Sequence, residues 1–390
     1  MKDKVLYIPG FNPFSTNGGG NQRCHLILKA LQIRYDVDVI VDFEDVDNDY
    51  NPNLWDGINI IPITENENKN IAKRLLRSLN LKFNPATPEL LLPTNVNKYQ
   101  QVHDLIQREN YKWIITRYLF MVPYHRLYNL KNLIVDIDDI PYEKLKTSLI
   151  LKHKTLTVAD RFKIWKTREA TFKVAQMAKI AFLPDNDSRH YFPNALYLPN
   201  IPLLPKEELT RDAVNRIMFV GSMTQDMNFL GIDHFISNIW PGIIDKNPEL
   251  ELHIIGKGTP LYYQERWRSV KGIVMRGFVK DLNVEYSKAI CAIAPIYSGA
   301  GTNIKVLEAI AHKCPIVVSD FAMRGFRDDF KDNESIMIAK NDTEFTDKVN
   351  LVVQDDILNY QLSKKGYSVI KNKYSFENFS RLLYKGIESI

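Results

Sequence analysis

Two glycine-containing segments could bring backbone amides close to a phosphate group. The first runs from Gly10 to Arg23 and carries Gly18, Gly19 and Gly20 between a strand-like run and a helix expected to begin near Asn21. Glycines let the backbone approach an anion, and a following helix N-terminus favours negative charge. A flexible surface loop is the alternative, but three consecutive glycines at a strand-to-helix junction favour a ligand-binding loop.

The second segment combines more of the features that a nucleotide site needs. A predicted strand over Ala289–Ala294 leads into Gly299–Thr302, and a predicted helix follows from about Asn303 to His312. The glycines and Thr302 lie where a diphosphate would meet helical amides, and Lys305 lies in the first turn. The spacing therefore predicts an anion site at this junction.

Glu308 lies one or two turns into the same helix, at a depth that suits bidentate hydrogen bonding to a ribose diol. The alternatives are a solvated carboxylate for Glu308 and a surface charge for Lys305. The apolar neighbours of Glu308 favour a ligand role, since an unpaired charge on a helix packed against a sheet would be costly. These neighbours are Val306, Leu307 and 309–311.

Acidic and basic residues also follow strand-like runs in the first half. Asp136, Asp138 and Asp139 are candidates for binding an acceptor or sugar hydroxyl, with turn capping as the alternative. Calcium binding by these aspartates is a weaker alternative, because the spacing of an EF-hand and its glycine are absent. Arg117 follows the run WIIT and is interpreted either as a phosphate ligand, which its strand-end position favours, or as a packed structural arginine.

Short β-branched runs alternate with helical patterns, which predicts an α/β protein with doubly wound parallel sheets. The strands predicted in the first half are Val5–Ile8, Val37–Val41, Ile58–Ile63, Trp113–Thr116 and Leu133–Asp136. Those predicted in the second half are Ile217–Val220, Leu252–Ile255, Gly272–Met275, Ala289–Ala294 and Pro315–Ser319.

A proline- and charge-rich stretch after Pro199 predicts an exposed linker between two domains. The expected organisation is an N-terminal domain over 1–205, a second domain over 206–375 and a terminal helix over 376–390. That helix is amphipathic and needs a surface on which to pack, for which we expect the N-terminal domain.

The bulk properties exclude several classes of protein. The chain has 390 residues, of which 45% are hydrophobic and 25% charged, as in folded globular proteins. No apolar run reaches about 18 residues, and the N-terminus does not resemble a signal peptide, which predicts a cytoplasmic protein. Three widely spaced cysteines argue against disulfides and structural zinc, and a net charge of +5 is too small to imply nucleic acid.

Two basic clusters occur in the first half, at 69–82 and 144–173. In the second, nine lysines and arginines accompany only Asp160 and Glu169. Such runs are commonly solvated faces. The first also has leucines and an isoleucine at helical spacing, which suits docking on an anionic membrane surface and predicts a peripheral location at the inner face of the membrane.

The second half resembles the donor-binding domain of GT-B glycosyltransferases, in particular the large retaining family numbered four, also called glycosyl transferases group 1. The resemblance rests on IMFVGSM, ELHIIGKG, GIVMRGFV and GTNIKVLEAIAHKCPIVVS, in this order. In the first half it covers the glycine loop, Arg117 and LIVDIDDIPYEK. It implies the GT-B fold, in which two Rossmann-like domains face a central cleft.

The resemblance also implies roles for individual residues. Gly256, Gly277 and Val279 would line the pocket for the base, and Glu308 would hold the ribose. The loop after the fourth strand of this half would face the phosphates or the sugar. The remaining residues assigned to substrate binding are Gly221, Ser222, Gly299, Ala300, Gly301, Thr302 and Asn303.

Three positions depart from the family pattern. Ala300 replaces a glutamate that commonly contacts the donor sugar, so sugar recognition must differ. The usual basic pair is absent from GSMTQDMNFLGID, which leaves Lys305 or Arg117 to neutralise the leaving diphosphate. Lys313 replaces a glycine at the end of the motif helix, where a left-handed cap would cost about 1 kcal/mol.

The expected activity is transfer of a sugar from a nucleoside-diphosphate sugar to a glycan or lipid-linked acceptor in cell-surface polysaccharide synthesis, with retention. Catalytic candidates are Asp139, Arg117 and Lys305, and neither a metal nor a separate cofactor is expected. A sugar-nucleotide epimerase and a non-catalytic binding subunit stay open as alternatives. A nucleic-acid partner is not expected, since no basic motif is interleaved with aromatic residues.

Overall fold

The computed structural model of the chain describes residues 2–41, 50, 51, 53–55, 57–63, 96–153, 155–186, 188–205 and 210–389. The chain divides into two compact units. Unit one comprises Met1–Pro199 and Phe379–Ile390, and unit two comprises Asn200–Asn378.

Unit one contains a sheet of seven parallel strands in the order β3-β2-β1-β4-β5-β6-β7. Central strands are apolar on both faces because helices cover both sides of such a sheet. The strands are β1 (Lys4–Ile8), β2 (Asp36–Val41), β3 (Ile58–Pro62), β4 (Trp113–Arg117), β5 (Leu133–Asp136), β6 (Ile180–Leu183) and β7 (Ala195–Tyr197). The helices are α1 (Gly19–Arg34), α2 (Val96–Arg108), α3 (Met121–Tyr124), α4 (Pro141–His153) and α5 (Val158–Ala175), with a 3₁₀ turn at Arg189–Tyr191.

Unit two contains a sheet of six parallel strands in the order β10-β9-β8-β11-β12-β13. The strands are β8 (Val214–Val220), β9 (Glu251–Ile255), β10 (Ile273–Gly277), β11 (Ala289–Ala294), β12 (Ile316–Ser319) and β13 (Met337–Ala339). The helices are α6 (Asp226–His234), α7 (Trp240–Ile244), α8 (Leu261–Arg268), α9 (Leu282–Ser287), α10 (Ile304–Ala311), α11 (Asp342–Gln354) and α12 (Asp356–Lys373), with a π turn at Phe235–Ile239 and a 3₁₀ turn at Asp320–Met323. Helix α13 (Phe376–Glu388) begins at the end of unit two and lies mostly in unit one.

The predicted fold class, two doubly wound parallel sheets, is confirmed, and each of the ten predicted strands is present within a few residues. The sequence analysis omitted β6, β7 and β13, which have only four, three and three residues. The three-residue runs of β7 and β13 are too short to show periodicity. Helix α1 begins at Gly19 rather than near Asn21, so two of the three consecutive glycines belong to the helix.

The last turns of the chain belong to unit one. Tyr384 donates a hydrogen bond from its hydroxyl to the carbonyl of Ala30 at 2.6 Å. A side chain at Gly386 would collide with the ring of Phe182, so the helix lies directly on β6. Arg23 lies 6.0 Å from the ring centroid of Phe379, a cation–π distance. These contacts attach the amphipathic face of α13 to the first sheet.

Among the described residues, no helix has the length and apolar character that crossing a membrane requires. The basic segment 69–82, for which the sequence predicted membrane docking, lies outside the described residues.

Candidate functional site

The strand order of unit two places a topological switch point between β8 and β11. The chain leaves β8 towards β9 on one side and leaves β11 towards β12 on the other. Loops that diverge in this way open a crevice at the carboxyl ends of the strands, where ligands of such sheets bind. Gly221 and Ser222 follow β8, and Gly299–Asn303 follows shortly after β11, so both predicted loops lie at this point.

Three glycines follow or end neighbouring strands at this edge. The amide of Gly221 donates to the carbonyl of Ile255 at 3.0 Å, and the amide of Gly256 donates to that of Gly277 at 2.8 Å. Gly256 has a φ of +148°, and an added Cβ would lie 1.8 Å from the Gly221 carbonyl oxygen. Only glycine fits there, so the edge that faces the crevice is built from backbone.

The Gly299–Asn303 loop is fixed at several points. Gly299 has a φ of +132°, and an added Cβ would lie 2.5 Å from the sulfur of Met227 on α6. The hydroxyl of Thr302 accepts a hydrogen bond from the Asn200 amide at 2.7 Å. Asn303 is buried and immediately precedes α10. These contacts therefore fix the conformation of the loop immediately before α10.

Lys305 connects the two sides of the switch point. Its Nζ donates a hydrogen bond of 2.5 Å to Oδ1 of Asn228 on α6 and lies 5.0 Å from the ring centroid of Phe219. Burial of the ammonium group lowers the pKa of Lys305 to about 7, with Glu308 acting in the opposite direction. The amide of Asn228 in turn donates to the carbonyl of Ser222 at 2.7 Å.

Glu308 interacts with a buried tyrosine that the sequence analysis did not identify. The hydroxyl of Tyr286 on α9 donates a hydrogen bond to the Glu308 carboxylate. Burial and this carboxylate raise the pKa of Tyr286 well above its usual value. The ring of His312 stacks on Tyr286 at 4.6 Å, and its Nδ1 lies 2.8 Å from the Glu308 carbonyl oxygen. The Glu308 carboxylate is therefore held by the Tyr286 hydroxyl, and the Glu308 backbone lies against His312.

A cavity of about 580 Å³ lies along β10 at the edge of the sheet. Of the three residues assigned to the base pocket, Val279 lines this cavity. Gly256 and Gly277 are instead hydrogen-bonded to each other at the ends of β9 and β10. The other lining residues are Val274, Met275, Arg276, Phe278, Lys280, Asp281, Val284 and Glu285.

In unit one, Arg117 lies in a buried ionic network. Its Nε donates to Asp136 at 3.2 Å, one terminal nitrogen donates to the carbonyl of Gly20 at 2.8 Å, and the other donates to Asp138. Asp136 also accepts two hydrogen bonds from Arg23. Arg117 is fully buried, so it fits the structural alternative, since a substrate oxygen would have to displace one of these acceptors.

The acidic residues after β5 occupy different environments. Asp136 is buried between the two arginines, which suits a structural role. Asp138 has a φ of +53° and accepts from Tyr118 at 3.3 Å as well as from Arg117. The Asp139 side chain remains 30% exposed and lies 3.7 Å from Nζ of Lys144. Of the three, Asp139 is the most accessible to a ligand.

The first glycine loop also lies at a switch point, between β1 and β4. Gly18 is the N-cap of α1, and Gly19 and Gly20 form its first turn. The ring of Phe11 would meet a side chain at Gly20, which explains the need for a small residue. Gly18 and Gly19 are exposed, as a ligand-binding loop requires.

Metal-ligating side chains do not gather in the part of the chain that the structure describes. No group of three or more histidine, cysteine, aspartate or glutamate residues there could hold a metal ion. The three cysteines are free and buried.

Comparison with known proteins agrees with this geometry. A family model described as glycosyl transferases group 1 matches residues 214–355, which include the switch point of unit two, Lys305 and Glu308. No curated protein matches the chain.

Solved structures resemble the chain over nearly its whole length. Sucrose-phosphate synthase from Thermosynechococcus elongatus superposes with a TM-score of 0.70 at 12% identity, covering 100% of this chain and 99% of that one. S. aureus TarM, in a G117R mutant bound to fondaparinux, α-GlcNAc-glycerol and UDP, gives 0.66 at 13%, covering 99% of each. WaaG, a glycosyltransferase involved in lipopolysaccharide biosynthesis, gives 0.61 at 12%, covering 98% of each. The chain thus has the GT-B fold, and its residues 214–355 match the model of the glycosyl transferases group 1.

Proposed function

We propose that this protein is a cytoplasmic glycosyltransferase that moves a sugar from a nucleoside-diphosphate sugar to a glycan or lipid-linked acceptor in cell-surface polysaccharide synthesis, with retention at the anomeric carbon. The observation that carries the proposal is the placement of Lys305 and Glu308 on one helix behind the Gly299–Asn303 loop. The match to group 1 transferases supports it, as do the UDP in the TarM structure and the pathway named for WaaG.

The donor would bind unit two through three kinds of contact. Glu308, oriented by Tyr286, would accept hydrogen bonds from the ribose diol. Backbone amides of the Gly299–Asn303 loop and the start of α10 would meet the diphosphate. The strand ends at Gly256 and Gly277, with Val279, would lie nearest the base.

Departure of the diphosphate leaves negative charge that the protein must stabilise. The anomeric C–O bond breaks and its electron pair goes to the diphosphate oxygen. The acceptor oxygen forms the new bond to carbon, and the proton of the acceptor hydroxyl passes to the departing diphosphate. Lys305 and the positive end of α10 would neutralise the leaving group, a role that needs no metal ion in this scheme. In unit one, we assign Asp139 to a hydrogen bond with an acceptor hydroxyl.

The alternative that one observation favours is a non-catalytic sugar-nucleotide-binding subunit. Ala300 lacks the carboxylate with which the family commonly contacts the donor sugar. An epimerase acting on the sugar nucleotide would use the same donor contacts. These alternatives differ from a transferase in their products.

A thermal-shift screen with UDP, GDP, ADP and CMP sugars, followed by mass spectrometry of products from a panel of glycan and lipid-linked acceptors, tests the proposal. We expect the sugars of one nucleotide class to stabilise the protein. One acceptor should gain a sugar, and free nucleoside diphosphate should appear at the same time. Stabilisation without any product supports the binding subunit, and an isomerised donor supports the epimerase. If no nucleotide sugar stabilises the protein, the donor site is wrong.

A further inference from the structure

Asn200 lies where the chain enters unit two and contacts the loop that precedes α10. It is the first residue of unit two, because unit one ends at Pro199. Its side-chain nitrogen donates a hydrogen bond of 2.7 Å to the Thr302 hydroxyl, although the two residues are 102 positions apart in the sequence. Asn200 therefore contacts the segment to which we assign the diphosphate of the donor.

The main chain that leads to Asn200 is held by buried groups. The two terminal nitrogens of Arg23 donate hydrogen bonds to the carbonyl of Pro199 at 2.9 Å and to that of Leu198 at 3.0 Å. Arg23 is itself buried and forms an ion pair of 2.6 Å with Asp136. The backbone immediately before Asn200 is thus fixed at two consecutive carbonyls.

The hydrogen bond from Asn200 determines what the Thr302 hydroxyl can do. A threonine hydroxyl has one proton to donate and two lone pairs that accept. The Asn200 nitrogen occupies one lone pair, so the proton of the hydroxyl points away from that amide. Among the residues that the structure describes, none accepts a hydrogen bond from this hydroxyl. The proton is therefore available to an oxygen of a ligand.

The surroundings of Thr302 suit an anionic ligand. Asn303, the N-cap of α10, makes no side-chain hydrogen bond to the helix, and its side-chain nitrogen donates to the carbonyl of Ala322 at 3.4 Å. The positive end of α10 thus lacks the N-cap acceptor that commonly satisfies it. Lys305 adds a cation in the first turn of the same helix. A phosphate oxygen meets the needs of all three groups.

We propose that Asn200 is a positioning residue for the donor, because its amide directs the Thr302 hydroxyl to donate to a diphosphate oxygen of the nucleoside-diphosphate sugar. The inference rests on the proposed function and deepens it. A donor is required in this place, since a carboxylate of the same size would accept from the hydroxyl and turn its proton away from the ligand. The alternative is that the hydrogen bond only braces the loop, which a carboxylate would also do.

Calorimetric titration of the full chain with UDP, GDP and ADP identifies the tightest of the three, which then serves as the probe for every variant. Thr302→Val should weaken its binding about tenfold, the worth of one hydrogen bond to a charged group, and Thr302→Ser should bind within about twofold of the wild type. Asn200→Asp should weaken binding more than about tenfold, because the hydroxyl contact is lost and a negative charge is added. The affinity for the matched nucleoside, which has no phosphate, should be the same in every variant.

The double variant Asn200→Asp/Thr302→Val separates lost orientation from charge repulsion. Without the hydroxyl, Asn200→Asp can only repel the diphosphate, so its cost there should be at least about fivefold smaller than in the wild-type background. Asn200→Leu removes the donor without adding a charge, and it should cost about threefold with the hydroxyl present and nothing without it. Equal costs in the two backgrounds would overturn the proposal, as would wild-type affinity in Asn200→Asp.

Asn372→Asp is the matched control, because it adds the same charge at an exposed asparagine of α12 and should bind the probe like the wild type. Thermal unfolding without ligand separates lost binding from lost folding, and Asn200→Leu decides the question if Asn200→Asp does not fold. If the wild type binds none of the three diphosphates, the proposed function fails together with this inference. If the wild type binds and the Asn200 variants bind equally well, the inference alone fails.

Discussion

Lys305 and Asn228 are joined by a hydrogen bond of 2.5 Å between Nζ and Oδ1, which links the helix after β11 to the helix after β8. Asn228 lies in the segment where related transferases commonly have a basic pair. In this chain the amide holds a lysine from the opposite side of the switch point. Lys305 of α10 thus places a single cation near the segment in which the family commonly has two basic residues.

Replacing Lys305 should weaken donor binding strongly. In the proposed site, Lys305→Met would remove a charge-assisted hydrogen bond to the diphosphate, worth about 2 kcal/mol, or roughly thirtyfold in affinity. Isothermal titration with the nucleotide sugar found in the screen measures this change. Lys288→Met, on an exposed lysine of the same unit, is the control and should bind normally. Equal affinities for the two variants would remove Lys305 from the diphosphate site.

The affinity for the donor should fall as the pH rises above 7. The pKa of Lys305 is about 7 in the free protein, so below this value the lysine is already charged when the anion arrives. Above it, binding must first recruit a proton, which lowers the affinity by up to about tenfold per pH unit. Dissociation constants measured between pH 6 and 9 should show this slope in the wild type and a flat profile in Lys305→Met. A slope that persists in the variant would assign the titration to another group.

The Tyr286–Glu308 pair predicts a graded loss of nucleotide binding. In the proposed site, Glu308→Ala would remove both hydrogen bonds to the ribose and should abolish the thermal shift with nucleotide sugars. Tyr286→Phe removes only the hydroxyl that orients the carboxylate and should weaken binding about fivefold, the value of one neutral hydrogen bond. Glu334→Ala, at an exposed glutamate of the same unit, should leave the shift unchanged. A normal shift in folded Glu308→Ala would exclude the ribose role.

The alternation of strands and helices was predictable, because parallel strands that are buried on both faces have sequences with continuous runs of β-branched residues. The Gly299–Asn303 loop was predictable too, since glycines beside a strand end and a helix start are a local signal. Helix α10, expected from about Asn303 to His312, spans Ile304–Ala311.

The partners of the site residues were not predictable, because they come from distant parts of the chain. Asn228 and Tyr286 carry no local pattern that marks them as neighbours of Lys305 and Glu308. Distant partners also explain why the ligand role predicted for Arg117 does not fit the fold. Its strand-end position favoured a ligand, but Asp138 and the Gly20 carbonyl occupy its donors in the fold.

Ala300 should influence which donor sugar is used. It lies between Gly299 and Gly301, both with positive φ, at the position where the family commonly contacts the sugar through a glutamate. Ala300→Glu should change the ratio of kcat/KM between two donor sugars by roughly thirtyfold, the worth of one charge-assisted hydrogen bond. Ala300→Gln matches it in size without the charge and should change the ratio less. An unchanged ratio in both variants would place sugar recognition elsewhere.

Lys313 should make the end of α10 less stable than it could be. Its φ is +57°, and its amide donates to the carbonyl of Ile310 while that of Cys314 donates to Ala309, the pattern of a Schellman cap whose left-handed position favours glycine. Nζ of Lys313 lies 5.0 Å from the ring centroid of Tyr367, so replacing the lysine also removes a cation–π contact. Lys313→Gly and Lys313→Ala both lose that contact, and only alanine keeps the strain. The free energy of unfolding in urea should therefore be about 1 kcal/mol higher for the glycine variant than for the alanine variant. Equal stabilities would show that the cap carries no strain.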